Sequence, residues 1–271
     1  MTTLEITNLH KEFVDAYTGE TVVAIGDVSF SIEQGEFISV LGPSGCGKTT
    51  VLNIVAGFDT QTSGSVMVGG KAVDGPSPER GVVFQSFALF PWKTVLGNVT
   101  FGLRMRGVAR QDREPIAQRY LELVGLEGFE RKFPHELSGG MQQRLGVARV
   151  LANEPEVMLM DEPFASVDAQ TRRKLQEDLT GIFETKRPTV FFVTHDVDEA
   201  VFLADRVVVL STRPSQVSEI VTVPLERPRN WRSTLDNPDF RRTVTYLTDL
   251  LAGELDGAVG TETPAGAVGE S

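Results

Sequence analysis

The chain has 271 residues, 41% hydrophobic and 23% charged, close to globular averages, which excludes collagen-like, disordered and disulfide-scaffold classes for most of its length. Its 26 Lys and Arg against 37 Asp and Glu leave a formal net charge of −11, which argues against an extended grip on nucleic acid, whose affinity rests on concentrated positive charge. A single cysteine, Cys46, cannot form an intrachain disulfide, and no run approaches the roughly 18 apolar residues needed to span a bilayer. The opening Met1-Thr2-Thr3-Leu4-Glu5 lacks the basic region and apolar run of a signal peptide. The expectation is a soluble, intracellular protein that reaches a membrane only through a partner.

Alternating and β-branched runs come first. Leu4–Ile6, Val22–Ile25, Val28–Ile32 and Phe37–Leu41 read as strands, with turns at Thr18-Gly19 and Gln34-Gly35. A glycine-rich turn, Gly42 to Thr50, precedes Val51, Leu52, Ile54 and Val55, which open a helix. Ser65–Val68 and Gly81–Phe84 read as short strands. From about 86 to 150 the strand signal fades: Ile116, Tyr120, Leu121 and Val124 recur at helical spacing, and Met141–Leu151 reads as another helix. Val157–Met160 and Thr189–Val193 are unbroken apolar runs, the pattern of strands buried on both faces of a parallel sheet. The helix Ala169–Glu184 separates them, and Arg206–Leu210 is a further strand. Strand and helix thus alternate around a helical insert, the signature of an α/β core interrupted by a smaller lobe. Asn237-Pro238-Asp239 has the form of a helix start, with Phe240, Val244, Leu247 and Leu251 as its apolar stripe. After Gly253 the chain is Gly, Ala, Thr, Glu and Pro without Lys or Arg, and 254–271 is expected to be a disordered acidic tail.

The strongest local signal is Gly42-Pro43-Ser44-Gly45-Cys46-Gly47-Lys48-Thr49, which matches G-x-x-x-x-G-K-S/T. Glycines let backbone N–H groups turn toward one point. Lys48 adds positive charge at the β and γ phosphates, Thr49 offers a hydroxyl to magnesium, and the helix start points orphan N–H groups at the anion. Cys46 is either a small filler or a thiol activated by the helix start and the lysine. The second reading expects alkylation of Cys46 to block nucleotide binding.

Val157–Met160 ends in Asp161 and Glu162, two carboxylates where α/β sheets place their ligands. Asp161 suits a magnesium shell, and Glu162 is the candidate to orient or deprotonate an attacking water. Leu137-Ser138-Gly139-Gly140 precedes a helical run and supplies a second anion-binding helix start. His195, after the strand Thr189–Val193, is placed to donate to a γ-phosphate.

In this order the motifs resemble an ABC-type ATPase, the nucleotide-binding subunit of an ATP-binding-cassette transporter, over about residues 4–225. Gly42–Thr49 matches the Walker A loop, Gln85 the Q-loop glutamine, Leu137–Gly140 the family signature, Val157–Glu162 Walker B, Asp168 the D-loop aspartate and His195 the switch histidine. The resemblance implies an α/β phosphate-loop NTPase core with an antiparallel β subdomain and an inserted helical lobe (about 86–150) in an ATPase domain over 1–232, then a C-terminal helix over 233–253. It implies ATP and Mg2+ as ligands. Lys48, Gln85, Glu162 and His195 would be catalytic. Thr49, Gln85 and Asp161 would face the metal. Gly42, Pro43, Ser44, Gly45, Cys46, Gly47, Lys48, Thr49 and Thr50 would cradle phosphate, and Phe13, ahead of Tyr17, would stack on adenine. Two copies would pair head to tail, so that Ser138, Gly139 and Gly140 of one close over nucleotide on the other.

Met141 departs from the glutamine that most often ends the signature, and Phe164–Asp168 departs from the common D-loop form. Neither removes a group with an assigned chemical task. The aromatic stretch Phe84–Val95 either packs the helical lobe or, as the resemblance implies, forms part of the family's cleft for a permease coupling helix. With Val193–Ala200 and the signature, it is similar to the importer branch for nitrate, sulfonates and taurine. The implied partners are integral membrane permease subunits and, indirectly, a periplasmic or extracellular solute-binding protein, with no nucleic acid. The implied location is peripheral, on the cytoplasmic face of the cell membrane. The competing classes are a soluble ABC ATPase acting on nucleic acid or ribosomes and a regulatory module without turnover. A single cassette, the acidic balance and Glu162 argue against them.

Overall fold

The computed structural model describes residues 2–15, 17–86, 88–165 and 167–259. Strands β1 (Thr2–Val14) and β2 (Thr21–Glu33) pair antiparallel, and β3 (Phe37–Leu41) runs into helix α1 (Lys48–Ala56). β4 (Ser63–Val68) and β5 (Lys71–Ala72) widen the antiparallel part, and β6 (Arg80–Val83) enters the other half. The insert holds α2 (Val95–Met105), α3 (Arg110–Leu123), a 3₁₀ turn (Pro134–Glu136) and α4 (Gly139–Leu151). Then come β7 (Val157–Asp161), α5 (Ala169–Lys186), β8 (Val190–Val193), α6 (Val197–Leu203) and β9 (Arg206–Leu210). β10 (Ser215–Thr222), α7 (Trp231–Asp236) and α8 (Pro238–Val259) complete the described chain.

Among the described residues the strands form one sheet in the order β5-β4-β1-β2-β10-β9-β3-β8-β7-β6. β9, β3, β8, β7 and β6 run parallel; β10 joins this half to the antiparallel half, parallel to β2 and antiparallel to β9. The apolar runs explain the layering. Phe37, Leu41, Met158, Met160 and Phe192 face the insert, α5 and α6, while Ile38, Val40, Leu159, Phe191 and Val193 face α1 and the antiparallel strands. Successive side chains of a strand point to opposite faces, so a strand covered on both sides is apolar at every position. Parallel pairing also brings the carboxyl ends of β3, β8, β7 and β6 to one edge, where Val40 is level with Val193, Val193 with Asp161, and Met160 with Val83. That edge carries the motifs.

The fold departs from the sequence expectations in several places. Val22–Ile25 and Val28–Ile32 belong to one strand, β2, because a register shift between Leu9 and Lys11 absorbs the irregularity at Gly26-Asp27. α8 continues through Gly253 to Val259, so 254–259 is helix rather than tail. One interior glycine costs only about 1 kcal/mol relative to alanine, too little to end a helix already docked through Phe240 and Leu247. Glu254 also accepts from the Ser218 hydroxyl of β10 at 2.5 Å. Phe87 of the aromatic stretch, Ser166 of the D-loop and residues 260–271 of the expected tail lie outside the described residues. No described helix is long and apolar enough to cross a membrane.

Candidate functional site

The turn after β3 needs its glycines. A Cβ on Gly42 would stand 2.8 Å from the Leu210 carbonyl oxygen and 2.9 Å from Cys46 Sγ. Gly45 and Gly47 have φ of 79° and 104°, values an L side chain rarely adopts. Gly47 sits at the start of α1, and Lys48, buried, folds its Nζ back to donate to the carbonyls of Gly42 (2.8 Å) and Pro43 (2.9 Å). The ammonium therefore stands inside the loop. Ser44 and Thr49 are exposed and Thr50 half-buried. Cys46 departs from the activated-thiol reading: burial pushes its thiol up and outweighs the opposing influence of Lys48.

Two hydrogen bonds knit the strand ends together. Thr49 Oγ1 donates to Asp161 Oδ1 at 3.2 Å, across 112 residues of sequence. His195 Nδ1 lies 3.1 Å from Glu162 Oε2, joining the loop after β8 to the one after β7. Burial pushes the Asp161 carboxyl up, with Glu162 adding to it, against the lowering influence of the Thr49 bond and Lys48. Glu162 has a left-handed φ of 43°, and its N–H donates to the Val193 carbonyl at 3.0 Å. A non-glycine in that region is strained by roughly 1–3 kcal/mol, and such strain gathers at functional sites. The hydroxyl and carboxylate oxygens at Thr49 and Asp161 are the hard donors that magnesium prefers, so the residues fit that ion. Gln85 is exposed, two residues past β6 at the same edge.

The remaining site residues lie elsewhere. Ser138 caps α4, its Oγ accepting from the Met141 N–H at 3.3 Å. A Cβ on Gly139 would meet open space, whereas one on Gly140 would press on Thr171 of α5 at 3.1 Å. Among the described residues, no hydrogen bond joins this turn to the loop 42–49. Asp168 caps α5, accepting from the N–H groups of Gln170 and Thr171; the Thr171 side chain first, and then these backbone bonds, hold its carboxyl below the usual range. Phe13, 44% exposed on β1, has the Lys11 ammonium 4.8 Å over its ring; Tyr17 is exposed in the turn that follows. Sequence reasoning missed Gln143, whose buried Nε2 donates to the Pro163 carbonyl at 2.7 Å and so ties α4 to the turn after Glu162. A glutamine on the buried face of an apolar helix was the available signal.

A lysine-bearing glycine loop bonded to a strand-end carboxylate, with a second carboxylate and a histidine alongside, defines a phosphate-loop nucleotide site. Comparison with known proteins narrows the class. The ABC transporter family profile matches residues 25–165. The chain is 52% identical to an uncharacterised ABC transporter ATP-binding protein of Methanocaldococcus jannaschii, over 90% of each chain. It is 44% identical to the nitrate import ATP-binding protein NrtD of Synechocystis sp., over 92% of this chain and 95% of that one. It is 46% identical to the taurine import ATP-binding protein TauB of Roseobacter denitrificans, over 89% and 90%. Its fold is similar to a dimeric, post-hydrolysis ATP-binding cassette bound to ADP and Pi, with a TM-score of 0.69 and 31% identity over 82% of this chain and all of that one. The chain belongs to the ATP-binding proteins of the ABC transporter family, in the branch that includes nitrate and taurine importers, and it binds and hydrolyses ATP. The expected fold class, a phosphate-loop core with an antiparallel β subdomain and an inserted helical lobe, is the one observed.

Proposed function

We propose that this chain powers an importer for a small solute of the nitrate, sulfonate or taurine kind, as one of two copies paired head to tail against permease subunits on the cytoplasmic membrane face. The observation that carries the reading is the meeting of Gly42–Thr49, Asp161, Glu162 and His195 at one sheet edge, joined by the Thr49–Asp161 and His195–Glu162 contacts.

Backbone N–H groups of residues 42–50 and the Lys48 ammonium hold the β and γ phosphates at the start of α1. Thr49, Asp161 and Gln85 would hold magnesium, which when bound neutralises phosphate charge as it builds up. Glu162 takes the proton of the attacking water, and His195 both orients that carboxylate and contacts the γ-phosphate. Phe13 stacks on adenine. The Ser138-Gly139-Gly140 turn, exposed at Ser138 and Gly139 and, among the described residues, without a bond to its own phosphate loop, serves the nucleotide of the second copy, together with Asp168. Hydrolysis then opens the pair and moves the permease.

A permease surface is supported by a groove of about 420 Å³ between the insert and the core, lined by Phe90, Phe101, Met105, Arg106 and Arg149. Trp92, 72% exposed, has its ring centroid 5.8 Å from that of Phe90, and Arg149 donates to the Ala88 carbonyl at 2.6 Å with its guanidinium over Phe90. A solute-binding protein acts from the far side of the membrane and touches only the permease.

Glu162→Gln should keep ATP binding and lower phosphate release by about 10²–10⁴, the usual worth of a general base. Turnover at the wild-type rate would reject that role. The same variant, with ATP, should pull a polytopic protein from detergent-solubilised membranes; recovery of ribosomes or DNA instead would reject the importer reading.

A further inference from the structure

Behind the nucleotide edge runs a buried polar chain that no role above uses. Thr194, fully enclosed, follows β8 and immediately precedes His195. Its hydroxyl donates to Glu199 Oε2 and accepts from the Asp196 N–H at 3.0 Å. Glu199 Oε1 accepts from Gln176 Nε2 at 2.7 Å, and Gln176 Oε1 accepts from Trp231 Nε1 at 3.0 Å. Asp196 in turn caps α6 by accepting the backbone N–H of Glu199 at 2.9 Å. His195 is therefore bracketed: the residue before it is bonded to the Glu199 side chain, and the residue after it to the Glu199 backbone.

The far end of the chain is as firmly held. Trp231 stacks on Phe202 of α6 at 4.0 Å, meets Phe240 of α8 edge-on, and donates its backbone N–H to Glu177 at 2.9 Å. Glu199, Gln176 and Trp231 lie on three helices, α6, α5 and α7, and all are buried. Burying a carboxyl carries a desolvation cost that a leucine or methionine in the same space would not. Packing alone does not account for Glu199. What the carboxylate supplies is two directional bonds at once, one toward the histidine loop and one toward the C-terminal helices.

We propose that Glu199 is a positioning residue for His195, fixing residues 194–196 from inside the protein and, through Gln176 and Trp231, tying the γ-phosphate contact to α7 and α8. This rests on the reading of His195 given above. His195 itself is 59% exposed in its side chain and, among the described residues, has the Glu162 contact alone to orient it, so its direction depends on the backbone that carries it.

The test is a double-mutant cycle on ATP hydrolysis by the purified full-length chain. Glu199→Gln should lower kcat about ten- to a hundredfold, the cost of misplacing a reacting group by about 1 Å, with KM for ATP changed less than about threefold. In a His195→Ala background the same substitution should change kcat less than about twofold, because its effect passes through the missing ring. Equal losses in both backgrounds, or no loss in either, would overturn the proposal. A His195→Ala variant with wild-type turnover would reject the γ-phosphate role and this proposal with it, whereas failure of the cycle alone leaves that role standing. Should Glu199→Gln not fold, Thr194→Val removes the linking hydroxyl at constant shape and Thr194→Ser restores it. The valine must slow turnover and the serine must rescue it; wild-type kcat in the valine variant would sink the idea.

Discussion

Cys46 lies 3.9 Å from the Lys48 ammonium beside a helix start, and both features favour a thiolate. Enclosure by the β3–α1 turn opposes them and wins, leaving the thiol 2% exposed and pushed up. Alkylation of the folded chain near neutral pH should therefore be at least about tenfold slower than of the chain in denaturant, and saturating ATP should slow it further; mass-spectrometric time courses would show both. The local sequence displays the lysine and the helix start, but not the Leu210 backbone that closes over Gly42, and so it invites the opposite expectation. Glu199 raises a similar conflict. Burial holds its carboxyl up at about 7 against 4.5 when free, with Asp196 reinforcing the shift and the Thr194 and Gln176 bonds and Arg172 opposing it. A group that binds its proton more tightly when folded makes stability fall as pH rises between those two values, and the loss is complete above about 7. Over that window the wild-type chain should lose up to on the order of 3 kcal/mol relative to Glu199→Gln. Urea midpoints at pH 5, 6 and 8 measure the difference; a gap that does not change with pH would mean Glu199 does not titrate there.

Helix α6 spans only Val197–Leu203, too short for an apolar period to announce it, and the sequence analysis did not anticipate it. Its two ends are held by charge instead. Asp196 caps the start, and at the other end Arg229 Nη1 donates to the carbonyls of Val201 (3.3 Å), Phe202 (3.0 Å) and Ala204 (2.8 Å), while Nη2 reaches Leu225 at 2.8 Å. Burial lowers this guanidinium to about 10, still charged at neutral pH. Arg229→Met would leave several buried carbonyls without a donor, at about 1–3 kcal/mol each, so a loss of at least about 3 kcal/mol is expected. Arg229→Lys should recover only part of it, since a compact ammonium cannot span carbonyls that a forked guanidinium reaches. The readout is a fall in the urea midpoint at constant slope. Elements that declare themselves in sequence are those whose pattern is set by their own burial. β3, β7 and β8 are apolar apart from Ser39 and the strand-end Asp161 because both faces are covered, and their observed bounds fall within a residue of the apolar runs. β10 reads Ser-Gln-Val-Ser-Glu-Ile-Val-Thr, half-covered and mostly polar, and becomes a strand because β2, far upstream in the chain, and β9, just before it, supply partners on its two sides.

At the scale of the whole molecule, the site was legible wherever one segment carries its own geometry. The glycines and lysine of residues 42–49 specify a phosphate turn without help from the rest of the chain. Asp161 and His195 were legible as strand-end residues and through the motif order, but the geometry that sets them beside it comes from the strand order β3-β8-β7-β6, which no spacing in the sequence records. The same is true of the Glu199 clamp, assembled from α5, α6 and α7. The Ser138-Gly139-Gly140 turn is the remaining piece. Ser138 and Gly139 are exposed, the turn heads a helix, and within the described residues it makes no bond to its own phosphate loop, which fits the proposed pairing with a second copy. That arrangement can be tested by mixing. Ser138→Arg spoils the signature turn and leaves the phosphate loop; Lys48→Ala does the reverse. Each variant alone should lose nearly all turnover, Lys48→Ala because nucleotide binding itself weakens, as a fluorescent-nucleotide titration would show. In a random equimolar mixture, half the dimers pair one variant with the other. Each such dimer holds one nucleotide place with an intact loop facing an intact turn, so up to about a quarter of wild-type sites return. If instead each copy completed its own site, no combination of the two variants would contain a sound one, and the mixture would be as inactive as its parts.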